Sequence, residues 1–285
     1  MSLLGVALAL GSALSWGAAD FAGGLLSRRA SALAVTIVVQ GCGMPLALAL
    51  AVATGEPVPS PLTFAWAALG GLTGGIGIAG LYRALSEGQM TRVAPVAGLI
   101  AAGVPVLLGL ALGDRLDAPR AAGILVALLA IVAVARHDAT PDADRGRSRL
   151  VLVIAAVAGL GLGLNYVAFD RAAAVDDATW WILVASRTTA SLVLLAAAGA
   201  VRQPGWPGRA MLPTLVLVGA ADLGGTGFFL LANALGPLGP TAVLSALYPV
   251  VTALLALIVL RERLARRQVA GICLAAVGVL LLAWP

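Results

Sequence analysis

The stretch TGGIGIAGLYRAL at residues 73–85 has a counterpart, LGGTGFFLLANAL, at residues 223–235. The two align without gaps and share three glycines, a leucine and a final Ala-Leu. Further along the chain, DRLDAPRAAG at 114–123 matches ERLARRQVAG at 262–271 in the same order. Single matches among Ala, Gly and Leu arise easily by chance in such a sequence, whereas two matches in the same order do not. The sequence therefore predicts an internal repeat.

The composition is typical of a membrane protein. Of the 285 residues, 61% are hydrophobic and 11% are charged, whereas a soluble domain carries about a quarter charged residues. The net charge is +5, but the 18 basic residues are all arginines and most lie in short gaps between apolar runs. This pattern fits lipid headgroups better than nucleic acid. We expect one integral membrane protein whose partner is the lipid bilayer and which binds no nucleic acid.

Ten apolar runs are long enough to cross a membrane, because about 20 helical residues span the hydrocarbon core. The charged loop RHDATPDADRGRSR at 136–149 separates two sets of five. We divide the chain into a first repeat at 1–136, a linker at 137–148 and a second repeat at 149–285. Since five is odd, the second repeat enters the membrane in the opposite orientation. The predicted fold is an all-α membrane protein with ten transmembrane helices, arranged as two five-helix inverted-topology repeats around a central cavity. The runs lie at 3–26, 31–53, 62–86, 91–112, 118–136, 149–172, 178–200, 210–234, 240–260 and 266–284.

The last helix of each repeat follows a similar pattern, LGDRLDAPRAAGILVALLAIVAV in the first and LRERLARRQVAGICLAAVGVLLL in the second. On these motifs and the helix count, the whole chain resembles the EamA-type carriers of the drug/metabolite transporter superfamily. The resemblance implies a multi-pass inner-membrane carrier that exports small organic metabolites, notably aromatic and hydrophobic amino acids. It also implies that the first, third, fourth, sixth, eighth and ninth helices line the cavity. We expect a monomer or homodimer without a cofactor.

The orientation of the chain has two alternatives. Most arginines lie at the loops that follow the first, third, fifth, seventh and ninth helices, whereas Arg115, Arg120 and Arg171 lie on the opposite side. The positive-inside rule then places both termini outside. The resemblance implies instead that both termini are cytoplasmic.

A single carboxylate, Asp222, lies about midway along the apolar eighth helix. An ionised side chain at that depth is costly unless it is paired, protonated or facing water. Asp222 shares one helical face with Thr226, Phe229 and Asn233, which fall four, seven and eleven residues later. Two interpretations follow: Asp222 is a substrate-amine or proton-coupling site, or it forms a structural ion pair with Arg187 at similar depth in the seventh helix.

Other polar and aromatic residues at helical spacing mark the expected cavity wall. Trp16 lies too deep for an interfacial belt, so it either packs in the core or forms a wall for substrate. Asp20, one turn later, joins Asp222 and Arg187 as a possible coupling or ion-pair residue. In the ninth helix, Thr241, Ser245, Tyr248 and Thr252 share one face. The residues expected to line the cavity and bind substrate are Ser12, Trp16, Tyr82, Asn165, Tyr166, Thr226, Phe229, Asn233, Ser245 and Tyr248.

Three prolines are candidates for hinges. Pro95 and Pro105 lie within the fourth helix and Pro249 within the ninth. A proline inside a helix removes one backbone hydrogen bond and introduces a bend. The fourth and ninth helices are therefore expected to flex.

The residues needed for other chemistries are missing. The one histidine, His137, lies in the charged loop, and Cys42 and Cys273 have no neighbours at metal-ligand spacing. We predict no metal site and no membrane-embedded enzyme. Without a nucleotide-binding loop, the chain alone cannot drive transport by ATP. The prediction is a secondary transporter that works by alternating access. The alternatives are a carrier or proton antiporter for other metabolites or cationic drugs, and a passive channel, which would not need an inverted repeat.

Overall fold

The computed structural model describes residues 2–87, 90–111, 117–135, 145–201, 205–260 and 266–283, and within these ranges every regular element is a helix. His137, most of the linker and the DRL and ERL motifs lie outside the described residues. The α-helices are α1 Leu3–Leu26, α2 Ala32–Thr54, α3 Pro61–Glu87, α4 Met90–Ala111, α5 Ala118–Ala135, α6 Arg145–Val175, α7 Thr179–Val201, α8 Leu212–Asn233, α9 Leu238–Ser245, α10 Tyr248–Leu260 and α11 Arg266–Ala283, with a short 3-10 helix at Arg209–Met211 before α8.

The helices match the predicted membrane crossings. Eight spans are long and apolar enough to cross a bilayer, and the segment that joins α9 to the first part of α10 counts as one of them. Two shorter apolar helices, Ala118–Ala133 and Val269–Leu282, bring the described candidates to ten. Large apolar side chains such as Leu192 and Leu217 are more than half exposed, as expected for a surface that faces lipid. The all-helical, ten-crossing fold is confirmed.

The ninth predicted helix is split into α9 and α10 by a turn at Ala246 and Leu247. The cause is Pro249, which has no N–H to donate to the carbonyl of Ser245, where α9 ends. The turn is closed by shorter-range bonds, including one of 2.9 Å from Val250 N to the carbonyl of Leu247. By contrast, α4 stays helical through Pro95 and Pro105. The three hinge assignments stay predictions.

The packing of the helices follows the repeat. The helix α3 packs extensively on α6, and α1 packs in the same way on α8. If α1–α5 are matched to α6–α11, with α9 and α10 taken together, these two contacts are equivalent. The contacts of α2 with α7 and of α5 with α11 each join a helix to its own counterpart. The two halves therefore interleave, so the interior of the bundle is built from both.

Glycine permits the closest of these approaches. A Cβ atom at Gly71 of α3 would lie 2.2 Å from the carbonyl oxygen of Ser186 in α7. No side chain fits at that separation, so only glycine allows these two backbones to pack together. This contact places α3 beside α7, and residues of both helices line the cavity described below.

At one end of the bundle, a carboxylate from the second half caps a helix of the first half. Asp176, just after α6, accepts hydrogen bonds from Ser60 N at 2.9 Å, Ser60 Oγ at 2.6 Å and Thr63 Oγ1 at 2.6 Å. These donors lie at the start of α3, where backbone N–H groups lack partners within the helix. The hydrogen bonds from Ser60 and Thr63 lower the pKa of Asp176.

At the same end of the bundle, a carboxylate from the first half caps a helix of the second half. Glu56, in the loop between α2 and α3, accepts hydrogen bonds from the backbone N–H groups of Trp180 at 2.9 Å and Trp181 at 3.4 Å, in the first turn of α7. Burial raises the pKa of the Glu56 carboxyl, although these hydrogen bonds oppose the shift. The α2–α3 and α6–α7 loops thus lie on the same side of the bundle, as the number of crossings requires.

At the other end, the backbone N–H of Ser31 donates to the carbonyl of Gly205 at 2.9 Å, which joins the α1–α2 loop to the α7–α8 connection. Contacts between the two halves therefore occur at both ends of the bundle.

The Asp176 cap gives a pH-dependent prediction. Asp176→Asn should lower the melting temperature in detergent at pH 7, because the amide cannot accept all three hydrogen bonds as the carboxylate does. Since the folded-state pKa is lowered, the wild-type cap stabilises the protein above the unfolded pKa of about 3.9. Its contribution is lost as the pH falls through the folded-state value.

The melting temperatures of wild type and Asp176→Asn should therefore converge below about pH 4. The control is Asp177→Asn, at a neighbouring carboxylate that forms no hydrogen bond within the described residues. A difference between wild type and Asp176→Asn that is constant with pH would contradict the prediction.

Candidate functional site

A cavity with about 520 Å³ of empty space lies between the two halves. Side chains from α1, α2, α3, α6, α7 and α8 line it, together with one from the start of α10. The resemblance also implied the fourth helix, but no described residue of α4 lines the cavity, because α4 packs behind α6. The second and seventh helices contribute in its place.

The centre of one wall is a network around Arg187, whose side chain is buried. Its Nη1 donates to Gln40 Oε1 and to Asp222 Oδ2. Its Nη2 donates to Thr226 Oγ1 at 2.8 Å and to the backbone carbonyl of Asp222 at 3.3 Å. Asp222 is buried as well, so the pair is an ion pair inside the bundle. This arrangement favours the ion-pair interpretation of Asp222 over the coupling one.

The second carboxylate of the cavity, Asp20, is placed differently. It is 3% exposed, lines the same cavity as Arg187 and Asp222, and is close enough to Asp222 for electrostatic interaction. Among the described residues, no hydrogen bond or ion pair to the Asp20 side chain is formed. Asp20 is thus a buried carboxylate that faces the empty space without a partner.

Aromatic rings lie beside it. We call Trp16, Tyr166 and Phe229 the aromatic cluster. The rings of Trp16 and Tyr166 stack with centroids 5.6 Å apart, and those of Tyr166 and Phe229 stack with centroids 4.8 Å apart. Trp16 and Tyr166 also line the cavity, whereas Phe229 supports them from behind. Because Trp16 is one helical turn before Asp20, the carboxylate and the aromatic faces belong to one wall.

The position of Trp16 depends on the glycine-rich stretch in which the repeat was recognised. A Cβ atom at Gly225 would lie 2.6 Å from Trp16 Cδ1 and 2.8 Å from its Nε1. The glycine therefore leaves the space that the indole occupies. Gly224, one residue earlier, has open room, since a Cβ atom there would meet its nearest neighbour, Ser15 Oγ, at 3.5 Å.

Two further predicted residues line the cavity. Asn165 donates from Nδ2 to the carbonyl of Gly70 at 2.8 Å, which ties α6 to α3. Tyr248 presents a buried hydroxyl that has no hydrogen-bond partner in the described part of the chain. It is the first residue of α10, so the break before Pro249 helps to position it beside the cavity.

Five of the residues expected to line the cavity lie elsewhere. Besides Phe229, these are Tyr82, whose hydroxyl donates to the carbonyl of Ala19 at 3.4 Å, and Ser245, whose hydroxyl donates to the carbonyl of Ala9 at 3.4 Å. Both bonds fasten other helices to α1. The remaining two are Ser12 and Asn233, described next.

Ser12 is fully buried, and its hydroxyl has no partner among the described residues. Asn233 donates from Nδ2 to Asp170 Oδ1 at 3.1 Å, which joins the end of α8 to α6. Ser12, Phe229 and Asn233 share a helical face with residues that line the cavity, so helical spacing predicted the face but not how far along it the cavity extends.

The sequence analysis missed two polar lining residues, Gln40 and Ser186. Gln40 is the one amide in the apolar second run, and this isolation could have marked it as a candidate. Ser186 directly precedes Arg187 and carries no such signal. Three glycines of α3 also line the cavity, namely Gly70, Gly74 and Gly75. Within the described residues, no group of three or more His, Cys, Asp and Glu side chains is placed to hold a metal ion.

The sequence pattern of the EamA-like transporter family matches residues 3–136 and again residues 149–284. The chain belongs to the EamA-like transporter family. It is therefore a multi-pass membrane transporter of small molecules. A solved structure titled "Crystal structure of protein" is similar to this transporter, with a TM-score of 0.77 and 18% identity over 99% of this chain and 96% of that chain. At that identity the likeness supports the fold alone. A search of curated proteins gave no match.

The packing of Trp16 against Gly225 can be tested by substituting alanine at each of two adjacent glycines. Gly225→Ala places a methyl group inside van der Waals contact with Trp16 and should cost about 1–3 kcal/mol of stability, as overpacking does. Gly224→Ala makes the same change in helix propensity without the clash and should leave the melting temperature near wild type. Thermal unfolding of both variants in detergent provides the measurement. Equal effects of the two substitutions would contradict the proposed packing.

The ion pair can be tested with a double-mutant cycle. Arg187→Ala or Asp222→Ala leaves the other charge buried without its partner, and each should cost about 3–5 kcal/mol. The double variant should lose much less than the sum of the two, because no charge is stranded. Unfolding measured in detergent for all four proteins gives the coupling energy. Additive losses would show that the two charges do not depend on each other.

Proposed function

We propose that this transporter moves small amphipathic amines by alternating access, with aromatic and hydrophobic amino acids as the class expected from the sequence. The observation that carries the proposal is the unpaired carboxylate of Asp20 beside Trp16 and Tyr166. A carboxylate binds an ammonium group through charge-assisted hydrogen bonds. Aromatic faces bind apolar bodies, and they also attract cations. One wall of the cavity therefore matches both ends of such a molecule.

The arrangement of the helices supports alternating access. Two interleaved halves of opposite orientation surround one cavity, and in transporters built this way the site stays near the middle while the halves rock around it. The helices of the two pseudo-equivalent contacts, α1 with α8 and α3 with α6, all contribute residues to the cavity wall. A continuous polar pore for a passive channel is disfavoured, because the cavity wall also holds apolar side chains such as Ile78, Leu81 and Leu162.

The membrane that holds the protein and the direction of transport are proposed as the sequence analysis expects them. A bundle of apolar helices supports a location in a membrane, because the backbone hydrogen bonds of a spanning helix form within the helix. The inner membrane is the location implied by the resemblance. Export remains the direction implied by the resemblance.

Counterflow in proteoliposomes tests the function. Vesicles that hold purified protein are loaded with an unlabelled amine and diluted into the same amine in radiolabelled form, with phenylalanine and phenethylamine used in separate assays. For at least one of them, the internal unlabelled amine should produce a transient overshoot of labelled uptake. A channel equilibrates the label without an overshoot, so its absence with both compounds would overturn the proposal.

The role of Asp20 is tested in the same assay. Asp20→Asn keeps the size of the side chain but removes its charge, and should lower the initial rate at least tenfold. Asp177→Asn makes the same chemical change in the α6–α7 loop, away from the cavity, and should transport normally. A fully active Asp20→Asn protein would show that the ammonium group is bound elsewhere.

A further inference from the structure

The ionisable side chains that line the cavity differ in whether they are paired within the protein. Among the described residues, three ionisable side chains other than tyrosines line it: Asp20, Arg187 and Asp222. Arg187 already donates to Asp222, Gln40 and Thr226. Its remaining nitrogen, Nε, is buried without a hydrogen-bond partner in the described part of the chain, so it is shielded rather than presented to a ligand. The positive charge of the cavity is therefore paired within the protein, whereas the carboxyl group of Asp20 has no partner in the described part of the chain.

An amino acid would need a second charged partner for its α-carboxylate. Arg187 could supply it only by leaving Asp222, which would leave two unpaired carboxylates, Asp20 and Asp222, in one cavity. If Arg187 stays with Asp222, the ammonium group can pair with Asp20, but the α-carboxylate then has no positively charged partner among the described residues that line the cavity. The polar groups that remain at the wall, such as the hydroxyls of Ser186 and Tyr248, are neutral and offer weaker bonds.

A molecule with an ammonium group and no carboxylate avoids both penalties. Its positive charge neutralises Asp20, and the Tyr248 hydroxyl, which has no partner among the described residues, can accept a further hydrogen bond from it. The apolar body then lies against Trp16, Tyr166 and Phe169, which line the same cavity. Aromatic rings beside a carboxylate suit a cation better than an anion, because the face of an aromatic ring is negative.

We infer that the site selects monocationic amines with an aromatic or aliphatic body over zwitterionic amino acids. Two features determine this selection: the unpaired carboxyl group of Asp20 and the ion pair between Arg187 and Asp222. The inference rests on the proposed function and narrows its substrate class. It departs from the amino-acid specificity that the resemblance implies, and it is closer to the alternative of cationic substrates.

Three probe molecules with the same phenyl group distinguish the effect of the ammonium group on binding from that of the carboxylate. Phenylalanine carries the ammonium and the carboxylate, phenethylamine carries the ammonium alone, and 3-phenylpropionate carries the carboxylate alone. Equilibrium binding to purified protein in detergent at pH 7 should give a Kd for phenethylamine at least tenfold lower than that for phenylalanine. Binding of 3-phenylpropionate should be too weak to measure.

Two variants test whether Asp20 is the cause of the preference for phenethylamine. In Asp20→Asn, the preference for phenethylamine over phenylalanine should fall to less than threefold, because the unpaired charge is gone. In Asp177→Asn, the preference should equal that of the wild type. If Asp20→Asn fails to fold, the wild-type ratio of the three probes still decides the question, since it needs no variant.

The outcomes separate the inference from the proposed function. Tighter binding of phenylalanine than of phenethylamine, together with counterflow of phenylalanine, would overturn the inference and leave the proposed function standing. If neither amine binds or shows counterflow, the proposed function fails and the inference fails with it. A tenfold preference for phenethylamine that Asp177→Asn retains and Asp20→Asn loses would support both.

Discussion

The interior of this bundle is organised by the burial of one guanidinium group. Arg187 lies in the middle of a membrane-spanning helix, where an uncompensated charge is costly. Its compensation comes from α2 and α8, through Gln40, Asp222 and Thr226. These contacts hold helices of both halves against α7 and define one wall of the cavity. They also remove the positive charge from the set of groups that a ligand can reach, so the charge available to a ligand is that of Asp20.

The glycines complement this network. In a membrane, helices associate without a hydrophobic driving force and depend on close packing. Gly71 lets α3 approach the backbone of Ser186, and Gly225 leaves room for Trp16. The network and the glycines therefore act together, because the same α7 and α8 that hold the ion pair also support the α3 wall and the aromatic cluster. Most of the cavity wall follows from these two kinds of contact.

The sequence was sufficient for the fold and for part of the site. Hydropathy predicted ten crossings, and the repeat predicted two five-helix halves around a central cavity. The site was harder, because a helical face extends beyond the cavity and spacing does not say which of its residues line it. Ser245 satisfied the spacing but bonds to α1, whereas Gln40 lines the cavity from a helix that had no polar stripe. The state of each charge depends on pairing across helices, which a linear pattern cannot show.

The central claim is that a substrate's ammonium group binds to Asp20 while Arg187 stays with Asp222. An experimental structure of the phenethylamine complex tests it most directly, through the distance from the ligand nitrogen to each carboxylate. The account predicts a separation of about 2.7–2.9 Å to an oxygen of Asp20, as in charge-assisted hydrogen bonds, with the Arg187–Asp222 contact intact. A ligand nitrogen bound to Asp222, with Arg187 displaced from it, would contradict the account.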